Sequence, residues 1–397
     1  MKFVSHPSVA TDRASLLELA ITFLRLGATA FGGPAAHLAM MRSEFVDRRR
    51  WLTEGEFLDL IGASNLIPGP SSTEVAIFIG LRRAGWIGLI LAGVFFILPA
   101  ALIVTAIAWA YVRFGHLPQM GGVLYGVKPV IIAVVVQALW ALGRTALKTR
   151  LISLAGVISL VLCFLGAPPL ALLLGSGALL GVRGWLREPA PRPIKPLLAL
   201  TALAVLLTAL PLALTLIEPH GAQPIGLSPI FLVFAKVGSL VLGSGYVLLA
   251  FLRTDLILRL HWLTSAQLLD AVAVGQLTPG PVFTTATFIG YILAGPMGAL
   301  VATLGIFLPA FLFVAIAGPL VPRIRRSPVA GSFLDGVNAA ALALMAFVAW
   351  QLARAAFVDG LSVGISIAAA ILLFRWRVNS AWLVLAGAVI GLLFHSY

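Results

Sequence analysis

Thirteen apolar segments make up most of this chain, and they restrict it to a membrane fold. They lie at about residues 16–41, 57–81, 84–112, 119–143, 151–165, 168–182, 196–217, 230–251, 266–291, 296–321, 333–353, 361–374 and 380–395. Most are long enough to cross about 30 Å of hydrocarbon as helices that rise about 1.5 Å per residue. Because 60% of the residues are hydrophobic and only 10% are charged, a soluble globular domain is excluded. The sequence predicts an all-α polytopic membrane protein with about 13 transmembrane segments.

The second half of the chain repeats the first at a shift of 211 residues, which becomes 210 after one deletion. Trp51-Leu52-Thr53 recurs as Trp262-Leu263-Thr264, and Pro68-Gly69-Pro70 recurs as Pro279-Gly280-Pro281. Two unrelated apolar runs would not align Trp, Thr, Gly and Pro in the same order. We therefore divide the chain into a first membrane repeat (1–182), a linker with one transmembrane helix (183–229) and a second membrane repeat (230–397).

The number of segments determines how the two repeats face each other. Six segments return the chain to its starting side, and the seventh, in the linker, carries it across. The second repeat then begins on the opposite face of the membrane. We therefore expect inverted repeats, a plan that recurs in secondary transporters.

The positions of the basic residues orient the chain. Most of the 27 lysines and arginines lie in loops that face the cytoplasm if the N-terminus is placed there, as the positive-inside rule requires. Orientation explains the net charge of +13 better than nucleic-acid binding does. The exception is the arginine-rich loop 42–50, which lies outside the cell if every apolar segment crosses the membrane once. The misfit would vanish if the first two segments re-entered from the cytoplasmic side, but Arg253 and Arg259 would then lie outside. A broken span and a re-entrant loop both remain open.

Two Pro-Gly-Pro sequences interrupt corresponding apolar segments. Proline lacks an N–H group and breaks a helix, and broken backbone is tolerated in a membrane only where it lines a cavity or meets a substrate. Hydroxyl residues follow each break, where the N-terminus of a restarting helix suits an anion. Packing kinks are the structural alternative. The predicted substrate-binding residues at the breaks are Asn65, Pro68, Gly69, Pro70, Ser71, Ser72 and Thr73, with Gln276, Pro279, Gly280, Pro281, Thr284 and Thr285 in the second repeat.

Ionisable residues inside apolar segments are functional candidates. Arg25 and Lys236 occupy equivalent positions in the two repeats, and a cation in each half would suit an anionic substrate. The alternative is that each reaches to the membrane interface. Glu74, Lys128 and His37 are candidates for coupling. Asp59 and its equivalent Asp270 could instead be helix N-terminal charges.

Several function classes are excluded or disfavoured by the sequence. It contains no GxxxxGK[ST] motif, so the chain hydrolyses no nucleotide through a P-loop of its own. The single cysteine, Cys163, forms no intrachain disulfide, and there is no Cys/His cluster for a metal. A membrane enzyme acting on lipid headgroups would need clustered acids or histidines, but the six histidines are scattered. We expect neither enzymatic activity nor a cofactor.

Three sequence blocks resemble the chromate ion transporter family in its long two-domain form. They are FGGPAAHLAMMRSEFVDRRRWL (31–52), NLIPGPSSTEVAIFIGLRRAGWIG (65–88) and GQLTPGPVFTTATFIGYILAGPMG (275–298). The chain departs from the family pattern in two places: Asn65 stands where a glutamine like Gln276 is expected, and Gly-Ser-Gly at 243–245 replaces the Gly-Gly-Pro of the first repeat.

The resemblance implies a multi-pass plasma-membrane protein that exports chromate and confers chromate resistance, with antiparallel halves. Sulfate is the natural structural analogue, so a transporter of sulfate or another small anion is the alternative. The expected partners are the inorganic anion and membrane lipid, without nucleic acid. A homodimer is compatible with the sequence.

Overall fold

The computed structural model describes residues 13–30, 33–64, 67–114, 118–187, 209–211, 213–214, 225–241, 248–317, 328–376, 378 and 380–395. Every regular element in these ranges is a helix. Five of the described helices have the length and composition to cross a membrane. The protein is therefore an all-α, multi-pass membrane protein, as predicted.

The described helices of the first half are α1 (Arg13–Thr29), α2 (Gly33–Arg42, continued by a π-helical turn Ser43–Arg48), α3 (Glu54–Ser64), α4 (Ser71–Phe114), α5 (Pro118–Ala146), α6 (Arg150–Phe164) and α7 (Pro169–Leu186). Those of the second half are α8 (Leu227–Leu240), α9 (Leu248–Leu252, continued by a π-helical turn Arg253–Arg259), α10 (Ser265–Leu277), α11 (Thr285–Ala317, preceded by a 3-10 turn Val282–Thr284), α12 (Pro328–Ala356), α13 (Gly360–Arg375) and α14 (Ser380–His395).

The helices α1 and α2 form an antiparallel hairpin. Arg49, after α2, pairs with Glu18 near the start of α1, and the rings of Phe23 and Phe45 lie 5.2 Å apart. His37, near the turn, bonds to the carbonyl oxygen of Ala30. These contacts join the N-terminal part of α1 to the residues that follow α2. The start and the end of this hairpin therefore lie next to each other.

The first Pro-Gly-Pro turn is the tip of a second hairpin, formed by α3 and the first part of α4. Arg82 pairs with Glu56, and the Arg83 guanidinium lies 4.8 Å from the ring centre of Trp51. The residues that enter and leave this hairpin therefore lie side by side. The segment folds back on itself, as the re-entrant alternative requires.

A sharp bend then divides α4 into a short leg (71–83) and a long leg (86–114). Gly85 has a φ of +60°, which only glycine adopts at low cost. The backbones of Gly80 and Gly88 touch across the bend, although residues eight apart in a straight helix are separated by about 12 Å. The same bend recurs in α11, where Gly295 has a φ of +62°.

Two sequence predictions are corrected by these hairpins. Segments 16–41 and 57–81, which the count of 13 transmembrane segments treats as single crossings, each fold back on themselves. The loop 42–50, predicted on the opposite face from Arg82 and Arg83, lies beside them, because Arg42 pairs with Glu54 at 2.7 Å next to the Trp51 and Arg83 contact. We call this the arginine-rich end of the molecule. Hydropathy alone could not separate a hairpin from a span, since both are apolar.

The two halves are interleaved. Helix α5 packs along α13 and α14 of the second half, and α12 packs along α6 and α7 of the first. Glycines allow these close contacts: a Cβ on Gly126 would overlap the backbone of Gly387, and one on Gly336 would overlap that of Ser176. This exchange holds the two Pro-Gly-Pro hairpins in one body.

Candidate functional site

Each Pro-Gly-Pro turn is held against the other half of the chain. The Gly69 N–H donates to the carbonyl oxygen of Val241 at 2.7 Å, and the Gly280 N–H donates to that of Ala30 at 2.9 Å. Ala30 and Val241 follow equivalent helices, α1 and α8, so the two hydrogen bonds are equivalent. The turns thus meet elements of opposite halves, at the interior of the molecule.

Both turns require glycine. Gly69 has a φ of +139° and Gly280 a φ of +90°. A Cβ on Gly280 would lie 2.6 Å from the Cβ of Ala100, in the middle of the long leg of α4, and one on Gly69 would lie 3.2 Å from the Cβ of Ala310 in α11. The tips therefore reach the middle of the long helices. The prolines at 68, 70, 279 and 281 are buried.

The first turn is followed by a buried polar group of side chains. His37 Nδ1 lies 3.1 Å from Ser72 Oγ, and His37 Nε2 lies 3.0 Å from the carbonyl oxygen of Ala30. Since a carbonyl only accepts, Nε2 carries a proton, and in the neutral ring Nδ1 accepts from the Ser72 hydroxyl. Ala30 thus connects His37 to the second turn through Gly280.

Glu74 and Thr73 are fully buried beside the first turn. Within the described part of the chain, the two carboxylate oxygens of Glu74 and the hydroxyl of Thr73 have no hydrogen-bond partner. The Glu74 carboxylate lies under Gly69, where an added Cβ would overlap it. A buried polar atom without a partner costs about 1–3 kcal/mol, and more if charged. This cost makes Glu74 and Thr73 candidates for binding a ligand or a proton.

The hydroxyl groups after the second turn donate hydrogen bonds to the backbone of the turn itself. Thr284 donates to the carbonyl oxygen of Pro281 and Thr285 to that of Val282, each at 2.8 Å. The Nε2 atom of Gln276 is buried and has no partner among the described residues, so it remains a donor available to a ligand. Ser71 is half-buried at the start of α4. Asn65 lies outside the described residues.

The cations Arg25 and Lys236 occupy equivalent places, as the repeat predicts, but each is paired with a carboxylate of its own hairpin. Arg25 lies 2.7 Å from Glu44, and Lys236 lies 2.8 Å from Asp255. Glu44 and Asp255 are themselves 211 residues apart, so the repeat could have revealed both acids. The role of the two cations in substrate binding stays a prediction.

Lys128 belongs to a cluster that joins the halves. Its Nζ lies 3.1 Å from Asp270 Oδ1, and the Tyr111 hydroxyl donates to Asp270 Oδ2 at 2.9 Å. Asp270 is buried in the second turn of α10. The alternative that it is a helix N-terminal charge is therefore wrong. Tyr111 was not predicted, because nothing in its surroundings along the chain points to a partner 159 residues away.

The described residues contain no group of three or more His, Cys, Asp or Glu side chains that could hold a metal ion. The polar groups around the two turns are instead hydroxyls, an amide, an imidazole and one carboxyl group. These groups suit hydrogen bonding to an oxyanion and proton binding.

Comparison with known proteins identifies the family of this chain. The sequence model of the chromate transporter family matches residues 17–182 and 228–392. A chromate transport protein of Cupriavidus metallidurans is 34% identical over 95% of this chain and 93% of its own length. One from Pseudomonas aeruginosa is also 34% identical, over 97% and 96%. A probable chromate transport protein of Synechococcus elongatus is 32% identical over 96% of each chain. No solved structure matches. The chain belongs to the chromate transporter family.

Proposed function

We propose that this protein is a secondary transporter that exports chromate across the plasma membrane and so confers chromate resistance. The observation that carries the proposal is the pair of Pro-Gly-Pro turns, each hydrogen-bonded to the opposite half. Beside them lie buried polar atoms that have no partner among the described residues. Relatives named as chromate transport proteins support the substrate. The alternative is sulfate or another small anion at the same site.

The first turn supplies the donors for an oxyanion. The first backbone N–H groups of a helix have no partner within the helix, and they carry the positive end of its dipole. At the start of α4 these groups belong to Ser71 and Ser72, and the buried hydroxyl of Thr73 follows. Gln276 adds an amide donor from the second half. An anion held there is bound by hydrogen bonds that replace part of its hydration, which a dianion needs in order to leave water.

Charge compensation has three candidates. Arg25, Lys236 and Lys128 are the basic residues within the predicted apolar segments, and each is paired with an acid in this structure. A dianion would compete with the acid for its cation, and the cation would then offset one of the two negative charges of the dianion. The pairing also avoids the cost of a buried lone cation.

The topology that fits both the hairpins and the charges has inverted halves. In each half, two hairpins enter from one face and four helices cross. With one crossing in the linker, the 13 apolar segments comprise nine crossings and four re-entrant hairpins. The N-terminus and the arginine-rich end then face the cytoplasm, in line with the positive-inside rule. The described hairpins support this arrangement, because they bring Arg49, Arg82 and Arg83 to one side.

Glu74 is the coupling group in this proposal. An ionised carboxylate without a partner is costly in a low-dielectric interior, so the surroundings of Glu74 favour a carboxyl group that carries a proton. Exchange of this proton with the opposite face would couple anion movement to the proton gradient. His37 would hold the first turn in place through Ser72 rather than bind the anion.

The test is chromate uptake into inside-out membrane vesicles, with sulfate as competitor and with or without an uncoupler. Thr73→Val removes a buried hydroxyl at nearly constant volume, and Thr284→Val is its matched control in the second half. We expect Thr73→Val to weaken chromate affinity about tenfold, the effect of one hydrogen bond to a charged group, and Thr284→Val to change it little. Uptake of sulfate but not chromate would support the alternative substrate. Equal effects of the two variants would remove the first turn from the binding site.

A further inference from the structure

The cluster of Lys128, Asp270 and Tyr111 lies outside the group of side chains at the two Pro-Gly-Pro turns, although Lys128 is one of the three cations that could offset the charge of an anion. It contains an ion pair whose acid is buried. Asp270 comes from α10 in the second half, and its two partners come from α5 and α4 in the first. The side chain of Asp270 is only 4% exposed. The Tyr111 ring packs edge-on against Phe288 at 5.2 Å. The cluster thus joins the two halves at a point where they could separate.

Helix geometry places this cluster relative to the site. Gly280, in the second turn, touches Ala100 in the long leg of α4. Tyr111 lies eleven residues further along the same leg, or about 16 Å towards its end at Phe114. The leg begins at Gly85, beside the arginine-rich end. The cluster therefore lies between the Pro-Gly-Pro turns and the opposite end of the molecule.

The equivalent place in the other half cannot form the same cluster. Asp59 corresponds to Asp270, but Asn338 stands where the repeat places Lys128, and Val321 where it places Tyr111. The combination of Lys, Asp and Tyr is therefore present at one of the two equivalent places. The first half keeps the acid as Asp59, but the second half has the uncharged Asn338 in place of the lysine. The routes to the site from the two ends therefore differ in their side chains.

We propose that the Lys128–Asp270–Tyr111 cluster is a gate that closes the route from the Pro-Gly-Pro turns to the opposite end. This rests on the proposed function, since a gate presupposes a site to which access alternates. While Asp270 holds both Lys128 and Tyr111, α10 stays fixed against α4 and α5. Opening requires the ion pair to part, and the hairpin of α10 can then move away from the first half.

Access to the site can be measured without transport. In a Cys163→Ser background, which removes the only native cysteine, Ser72→Cys places a reporter at the first turn. A charged, membrane-impermeant thiol reagent is applied to right-side-out and to inside-out vesicles. We expect Asp270→Asn to raise the labelling rate about tenfold from the face at the opposite end, the population shift that loss of a charged hydrogen bond produces. Labelling from the arginine-rich face should not rise.

Three further variants make the test decisive. Asp59→Asn, the matched control, should leave labelling from the opposite end unchanged. The exchange Lys128→Asp with Asp270→Lys should restore slow labelling, because it keeps the ion pair. Tyr111→Phe removes one hydrogen bond and should raise labelling less than Asp270→Asn, which keeps the test available if that variant does not fold. Unchanged labelling in both Asp270→Asn and Tyr111→Phe, or an equal rise from both faces, would overturn the gate. Labelling as expected in a protein that moves no anion would instead reject the proposed function.

Discussion

The two halves have the same backbone but different chemistry at equivalent positions. In both, the Pro-Gly-Pro glycine has a positive φ, and a second glycine with a positive φ forms the bend before the long helix. The polar side chains of the first half are replaced by less polar ones in the second. Ser72, Glu74 and His37 correspond to Phe283, Thr285 and Leu248. The repeat therefore supplies a common backbone, and its copies differ at the positions where we propose that binding and coupling take place.

Two equivalent acid–base pairs also differ between the halves, in how far they are exposed. Arg25 with Glu44 and Lys236 with Asp255 are equivalent, and each holds a first hairpin closed. The Arg25 side chain is 48% exposed, whereas that of Lys236 is 5% exposed. The cation of the pair thus reaches the surface in one half and lies in a dry interior in the other. The loss of stability when the acid of the pair is removed should therefore be larger for Lys236 than for Arg25.

The largest expected effect comes from Glu74. Glu74→Met should abolish uptake driven by a proton gradient while raising the thermal stability of the protein, because an apolar side chain removes a buried polar group that costs about 1–3 kcal/mol. Thr285→Val at the equivalent position should retain uptake. Transport in vesicles and unfolding in detergent measure both quantities. Proton-coupled uptake by Glu74→Met would exclude Glu74 as the coupling group.

The second prediction concerns these two equivalent ion pairs. Asp255→Asn leaves the Lys236 ammonium buried without its carboxylate partner, which should lower the free energy of unfolding by about 3–5 kcal/mol. Glu44→Gln leaves arginines that can reach water, so we expect a loss of about 1 kcal/mol. Thermal unfolding in detergent compares the two. Equal losses would show that Lys236 reaches water in the same way as Arg25.

The third prediction tests the turns, where the halves should behave alike. Gly69→Ala and Gly280→Ala each force a Cβ into a positive φ and against a neighbour, so each should cost about 1–3 kcal/mol. Gly55→Ala, on a helix with open space around it, should instead stabilise by up to about 1 kcal/mol. Chromate uptake should fall in the two turn variants and persist in the control. A tolerated alanine at either turn would contradict the described geometry.

Part of this fold could be predicted from the sequence, because the two copies of the repeat still match residue by residue. The shift of 211 residues by itself locates both Pro-Gly-Pro turns and makes Arg25 equivalent to Lys236. The re-entrant form of the hairpins could not be predicted in this way. A hairpin and a span have the same hydropathy, and only the contacts of Trp51 with Arg83 and of Glu56 with Arg82 distinguish them.

The site was predictable only in outline. The hydroxyls after the turns were found from their position, but whether a hydroxyl is free depends on its local backbone: Thr73 has no partner among the described residues, and Thr284 bonds to Pro281. The partners of Lys128 come from distant parts of the chain, since Asp270 is brought to it by the exchange of helices between halves. Sequence spacing carries no information on such contacts.

The smallest expected effect concerns the tryptophans Trp51 and Trp262, which are equivalent but differ in their neighbours. The guanidinium groups of Arg49 and Arg83 lie 5.0 and 4.8 Å from the ring centre of Trp51. Position 83 corresponds to Leu293 in the second half and position 49 to Leu260, so the repeat places no cation there.

Trp51→Leu should therefore lower the free energy of unfolding by about 1 kcal/mol more than Trp262→Leu, since cation–π contacts at exposed sites contribute about 0.5–1 kcal/mol each. Unfolding in detergent at low and high salt measures the difference. If the two variants are equally destabilised, the guanidinium groups add nothing beyond the packing of the ring. The arginine-rich end would then owe its arrangement to the ion pairs of Arg82 and Arg49 with Glu56 and Glu18, and the unequal charge of the two ends would serve orientation in the membrane rather than the stability of the hairpin.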